Sequence, residues 1–192
     1  MENDTRRRAL DRFQTGVYVL TSRNGDHFGA ATVAWAMQTS FKPSLIVVAL
    51  GRKSNVFRCL EHSRVAVLHV AGHRQLGLAR RFACPTETAG TRINGEPFVN
   101  GVTSAPVLKV FPAYLECQVE QIVDTIGDHA LVILRVVLAQ CRARFRPMTI
   151  AELRTDLERH PLPPRREPAP AQVPLRAPSP PPASCSQSAA AD

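Results

Sequence analysis

Between residues 17 and 143 the apolar positions gather into six short runs: VYVLTS (17–22), FGAATVAWAM (28–37), SLIVVAL (44–50), RVAVLHV (64–70), AYLECQVEQIV (113–123) and HALVILRVVLAQCRA (129–143). Each is rich in β-branched residues and bounded by Gly, Pro, Asp or charged residues, so each predicts a strand. Arg23-Asn24-Gly25-Asp26 marks a turn between the first two. Six strands with few long helical intervals predict a mainly β fold, a closed or nearly closed antiparallel barrel.

Helical periodicity appears in four places. Thr5–Phe13 carries apolar and charged residues at helical spacing, with Asp4 placed to cap it. SNVFRCLEH (54–62) follows the third strand with Ser54 as N-cap, and RQLGLARRFA (74–83) follows the fourth with Leu76, Ala79 and Phe82 as an apolar stripe. In TIAELRTDLER (149–159), Thr149 and Glu152 have capping-box spacing. The polar triplet Gln38-Thr39-Ser40 reads as the joint between the second and third strands. Residues 85–105, PTETAGTRINGEPFVNGVTSA, form a long excursion of the kind that is usually functional or disordered.

From Arg159 onward the chain holds ten of its sixteen prolines and almost no large apolar side chain. Such a segment buries too little surface to offset its ordering entropy, so residues 159–192 are expected to be a disordered Pro/Ala-rich tail and residues 1–158 one folded domain. The formal charge of +8 is scattered apart from Arg6-Arg7-Arg8, Arg80-Arg81 and Arg165-Arg166. No nucleic-acid recognition motif accompanies it, and the charge equally suits a phosphate-bearing cofactor. Five widely spaced cysteines with no C-x-x-C pair read as reduced thiols rather than a disulfide framework. The N-terminus has acids and arginines where a signal peptide needs an apolar core, and no apolar run reaches membrane-spanning length. A cytoplasmic protein without membrane contact is the expectation.

The chain lacks a nucleophile elbow, an H-E-x-x-H, a Walker loop and a G-x-G-x-x-G after a strand. His69 and His73 straddle a strand end and Ala71-Gly72, so they read as half-exposed loop histidines, and no metal site is expected. Arg52-Lys53-Ser54-Asn55 is more suggestive. It lies where a strand ends and a helix begins, and there the helix's unpaired N–H groups and dipole welcome an anion. Taken alone, Ser54 or Asn55 is also simply a cap. Gly127-Asp128-His129 stands immediately before the last strand, where a tight turn alone needs no function.

Taken together and in this order, F-x-T-G-V (13–17), A-x-x-x-Q-x-S-F-x-P (34–43, with Ala34, Gln38, Ser40, Phe41 and Pro43), L-E-C (115–117) and G-D-H (127–129) are fairly specific. The chain resembles the flavin reductase-like family of FMN-binding split β-barrel proteins over about residues 9–153, most of all its flavoredoxin-type and rubredoxin- or diflavin-fused branch. The resemblance implies a six-stranded antiparallel Greek-key split barrel with flanking helices, FMN or alternatively FAD as cofactor, NAD(P)H as reductant, and a homodimer. It implies that Lys53, Ser54 and Asn55 hold the cofactor phosphate, and that Thr32, Ala34, Trp35, Ala36, Gln38, Thr39, Ser40, Phe82 and Asp128 complete the cofactor site. His129 would approach the nicotinamide as an orienting catalytic residue. The reaction implied is hydride transfer from a nicotinamide to flavin, with electrons passed to a monooxygenase or another redox protein. Two readings stand beside it: an FMN-bearing electron carrier reduced by a redox partner, and a flavin-free barrel used for binding.

Overall fold

The computed structural model describes residues 2–123, 126–142 and 144–163, so most of the tail expected from Arg159 lies outside the described residues. Every predicted apolar run is strand, but the second is broken. A hairpin turning at Gly25, whose φ of 59° favours glycine, joins β1 (Tyr18–Asn24) to β2 (His27–Val33). The chain then leaves the ladder pattern at Ala34-Trp35 and resumes as β3 (Ala36–Ser40) before β4 (Leu45–Gly51) and β5 (Val65–Val70). Five two-residue strands follow, four in the excursion and the last just after it: β6 (Thr88–Ala89), β7 (Arg92–Ile93), β8 (Glu96–Pro97), β9 (Val99–Asn100) and β10 (Pro106–Val107). Two long strands, β11 (Ala113–Val123) and β12 (His129–Cys141), complete the order.

The described residues thus build a seven-stranded sheet, β2-β1-β5-β11-β12-β4-β3, antiparallel at every pairing. Its two edge strands, β2 and β3, are consecutive in the chain and joined only by Ala34-Trp35. The sheet therefore curls until its edges meet at that joint, and the barrel is split there rather than closed by a ladder. This corrects the expected joint. Gln38-Thr39-Ser40 belongs to β3, and the turn is made by residues 41–44. An edge strand needs cover on one side only, so polar residues do not end it.

Among the described residues four helices flank the barrel. In α1 (Glu2–Leu10) the expected cap, Asp4, lies inside the helix and pairs with Arg8 at 3.4 Å. The second, α2 (Asn55–Ser63), is capped as expected: the Phe57 N–H donates to the Ser54 hydroxyl at 3.3 Å. It drives Val56, Phe57, Cys59 and Leu60 into one end of the barrel. Gly29 is required there, because a Cβ on it would come within 2.5 Å of the Val56 Cα. α3 (Leu76–Ala83) buries Ala79 and Phe82, and α4 (Ile150–Arg159) starts with the expected reciprocal Thr149–Glu152 capping box. None of the described helices is long and apolar enough to cross a membrane.

Inside the barrel pack Leu20, Val48, Leu50, Leu60, Leu68, Val132 and Leu134. A second core lies outside it, under α3 and α4, with Val17, Val19, Phe82, Phe111 and Met148. The excursion is an ordered cover rather than a loose loop. Asn94 accepts from the Glu87 N–H at 2.7 Å, and the Thr103 N–H and hydroxyl both donate to buried Glu116, at 3.0 and 3.2 Å. Beneath these layers His69 is fully buried in β5, which overturns its reading as a half-exposed loop residue. Its Nδ1–H donates to the Val19 carbonyl at 2.9 Å while Nε2 accepts from the Leu108 N–H at 2.9 Å. Both ring nitrogens are used as a neutral imidazole uses them, and burial pushes the pKa down to about 4.

Candidate functional site

The site grows from the end of the barrel that α2 caps. β4 and β12 pair so that Gly51 lies opposite His129, and the Arg52 N–H donates to the Asp128 carbonyl at 3.2 Å. That bond holds the Arg52-Lys53 turn against the Gly127-Asp128 turn. The chain then enters α2, whose first N–H groups point out of the helix start without intrahelical partners. Lys53 and Asn55 are exposed beside them. Arg58, one turn along, donates to Asn55 Oδ1 at 2.7 Å and to the Lys53 carbonyl at 3.4 Å, fixing the shape of this turn. Ser54 serves its cap by accepting a hydrogen bond, and its own O–H remains a donor, so capping and anion binding are compatible in one hydroxyl. An ammonium, a hydroxyl, an amide and helix-start N–H groups make a cradle for phosphate.

Beside the cradle stand Trp35 and His129, with ring centroids 4.8 Å apart and planes at 57°. Trp35 is held in place by its carbonyl, which accepts from the Ala49 N–H at 2.9 Å, and its ring is left exposed. His129 Nδ1 meets Asp128 Oδ1 at 2.7 Å. The hydrogen bond with that ring, then its charge, holds the exposed Asp128 carboxyl below the usual carboxylate range. The acid thus orients the imidazole from the turn that precedes it.

From this end β3 runs along the split, and Trp35 to Ser40 spans roughly 16 Å at the usual strand rise. Among the described residues β3 pairs with β4 alone, so its other edge presents backbone N–H and C=O groups toward the split. A flat heterocycle with alternating donors and acceptors finds partners on such an edge. Together with the cradle and the exposed indole, this donor set fits a phosphate-bearing isoalloxazine.

The expected site residues do not all converge. Trp35, Lys53, Ser54, Asn55, Asp128 and His129 come together, with Ala34 at the joint between the sheet edges and Thr39 exposed further along β3. Ala36 and Gln38, with Met37 between them, instead line a cavity of about 330 Å³ together with Tyr18 and Leu45, at the end of β4 away from Gly51. Gln38 donates to the Ser40 carbonyl at 3.1 Å. The Thr32 hydroxyl donates to the Ala79 carbonyl at 2.6 Å and so ties β2 to α3. Phe82 is fully buried, with its ring 6.2 Å from Phe111, and serves the core rather than a cofactor. Arg58 is the cradle residue that reading the sequence missed. Its signal was its spacing of three from Asn55, which puts both on one helix face.

Residues 10–152 match the sequence profile described as the flavin reductase like domain. Among curated proteins, an NADH:FMN oxidoreductase of Rhodococcus qingshengii is 31% identical over 128 residues, covering 66% of this chain and 65% of that one. Diflavin flavoprotein A 1 of Synechocystis sp. is 27% identical over 131 residues, 67% of this chain. The chain spans about a fifth of the length of the diflavin flavoproteins it matches. Among solved structures, the NADH:FAD oxidoreductase SgcE6 of Streptomyces globisporus, in complex with NAD and FAD fragments, superposes with a TM-score of 0.68 at 21% identity, over 90% of this chain and 96% of that one. With the profile running from the end of α1 through the whole barrel into the first turn of α4, the chain belongs to the flavin reductase like domain family.

Proposed function

We propose that this chain is an NAD(P)H-dependent flavin reductase that binds FMN at the split of its barrel. The observation that carries this reading is the convergence of the Lys53–Asn55 cradle with the Trp35–His129 pair at one end of the barrel. Lys53, Ser54 and Asn55 hold the phosphate, the free edge of β3 meets the ring, and Asp128 orients His129 toward the incoming nicotinamide. When bound, the flavin supplies the chemistry, accepting a hydride and passing electrons on to a monooxygenase or another redox protein. The protein's part is binding, orientation and electrostatics.

The same reading includes a homodimer. Along β3, β4 and β12 the outward side chains Met37, Val47 and Ile133 form one row across the sheet, and Ala49 and Leu131 the next. A face this apolar beside Trp35 supports burial against a second copy. Among the described residues, Cys59, Cys84 and Cys117 stand as free thiols, which supports the cytoplasm as its compartment.

The deciding experiment is anaerobic mixing of the flavin-loaded protein with NADH and with NADPH. Loss of the oxidised-flavin absorbance at roughly 450 nm with either nucleotide is the expected result. Bleaching by dithionite but by neither nucleotide would make the protein an electron carrier. Failure to take up any flavin would leave a binding barrel. His129→Ala is expected to slow reduction by the nicotinamide while leaving FMN affinity unchanged.

A further inference from the structure

The cavity of about 330 Å³ that takes in Ala36 and Gln38 is lined by no residue of the Lys53–Asn55 cradle or of the Trp35–His129 pair. Six strands surround it, with Tyr18 from β1, Gln38 from β3, Ile46 from β4, Leu68 from β5, Leu115 from β11 and Val136 from β12. Ile46 and Leu68 belong to the core inside the barrel, and Tyr18, Leu115 and Val136 pack against it, so the cavity opens onto the barrel interior. At the α2 end Val56, Phe57 and Leu60 fill that interior. None of the described helices contributes to the cavity, so this end has no such plug. Unplugged mouths of β-barrels are among the places where small ligands bind.

The lining selects by chemistry. Among the described residues it carries neither a carboxylate nor a cation, so nothing there offsets the desolvation of an ion. That excludes flavin phosphates and nicotinamide dinucleotides and leaves neutral ligands. Two polar groups stand ready among the aliphatic side chains. The Tyr18 hydroxyl has no partner among the described residues, and Gly16 makes room for it, since a Cβ there would come within 2.6 Å of the phenol oxygen. Burial raises the Tyr18 pKa above its ordinary value, which keeps the group a donor. Gln38 spends its amide N–H on the Ser40 carbonyl at 3.1 Å, and its Oε1 remains an acceptor. A single ligand hydroxyl can accept from the first and donate to the second. Because strands enclose the space on every side, it suits a compact ring rather than a long chain.

We propose that this cavity is a second binding site, for a small neutral alcohol built on one apolar ring, of which a phenol is the simplest example. The ring packs among Leu68, Leu115 and Val136, and the hydroxyl sits between Tyr18 and Gln38. The site is independent of the flavin site and does not rest on the flavin reading.

Fluorine NMR of para-fluorophenol, fluorobenzene and para-fluorobenzoate, each titrated with the full-length chain, tests this. The phenol is expected to bind saturably with a Kd of about 1 mM or lower, fluorobenzene about tenfold more weakly, and the benzoate not at all. Tyr18→Phe is expected to weaken the phenol about fivefold while leaving fluorobenzene within about twofold, a difference that a merely loosened fold would not produce. Ala139→Trp, which fills the cavity from an exposed position, is expected to abolish binding of both while leaving FMN affinity and the melting temperature near those of the wild type. Saturating FMN is expected to leave the phenol affinity within about twofold. Equal binding of all three probes, or phenol binding untouched by both variants, would mean unspecific sorption and overturn the site. Loss of phenol binding on adding FMN would overturn it too, by making the cavity part of the flavin site. Phenol binding with the expected selectivity in a chain that takes up no flavin would uphold the cavity and remove the flavin reading alone.

Discussion

β5 and β4 are written in nearly the same alphabet, VAVLHV against LIVVALG, yet they meet different surroundings. In β5 four consecutive residues are buried, because the barrel interior lies on one face and the excursion and Phe111 lie on the other. In β4, and along β12 beside it, buried residues alternate with half-exposed ones. The outer face of this second half leaves Trp35 57%, Met37 64%, Leu131 38% and Val137 43% exposed. An apolar strand announces that both its faces want cover without saying what supplies it. On the β1–β5 side the chain covers itself, and there the residues serve stability. On the β3–β4–β12 side the described residues supply no such cover, and there the candidate site lies.

The largest test of the contrast removes a ring from the self-covered half. Phe82→Ala is expected to lose about 3–5 kcal/mol of stability, as large-to-small changes in packed cores do. Urea unfolding measures this, and a loss under about 1 kcal/mol would mean that the ring is not core. His69 tests the same half by pH. Its folded pKa of about 4 lies below the unfolded value of roughly 6.5, so the unfolded chain binds more protons between the two. The contribution is complete above about pH 6.5 and is lost as pH falls toward 4, reaching on the order of 3 kcal/mol. His69→Gln keeps a donor for Val19 and an acceptor for Leu108 but does not titrate. Its stability is expected to vary less than the wild type's across that window, and parallel pH profiles would remove His69 as the cause.

The contrast also explains what could be read from the sequence. Strand existence was legible in β-branched runs, and both the Ser54 cap and the Thr149–Glu152 box in local spacing, because these features are decided within a few residues. The break at Ala34-Trp35 was not legible, since both residues suit a strand and only the meeting of the sheet's two edges interrupts it. Gln38-Thr39-Ser40 misled for the opposite reason: polar residues imitate a turn but are at home on an edge strand. The burial of His69 depends on partners fifty and thirty-nine residues away, Val19 and Leu108, which no local pattern reveals. The placement of Lys53, Ser54 and Asn55 at a helix start and of His129 at a strand start was legible, because local spacing fixes those starts. Phe82 was drawn into the site by resemblance, although its helical stripe with Ala79 already marked it as core.

On the uncovered half the expected effects on folding are smaller and those on binding more specific. Lys53→Ala removes a charge from the phosphate alone, so FMN affinity is expected to fall about tenfold with riboflavin unchanged. Fluorescence titration of both ligands decides this, and equal losses would move the phosphate away from the cradle.

The smallest effect on the folded monomer is expected at Leu131, in the outward row with Ala49 beside Trp35. Leu131→Asp takes nothing from either core, so the stability of the single chain should fall by only about 1 kcal/mol, well below the loss at Phe82. Its effect on association should be complete at micromolar concentration, because a carboxylate in a dry interface is left unpaired. Sedimentation at several concentrations reads the association. Trp35 reads the face itself, since it is the only tryptophan in the chain. In the wild type its emission should move to the blue as concentration rises, and in Leu131→Asp it should stay at the wavelength of a solvated indole. A wild-type chain that sediments as a monomer throughout, with Trp35 emission independent of concentration, would show that a second copy does not cover this face.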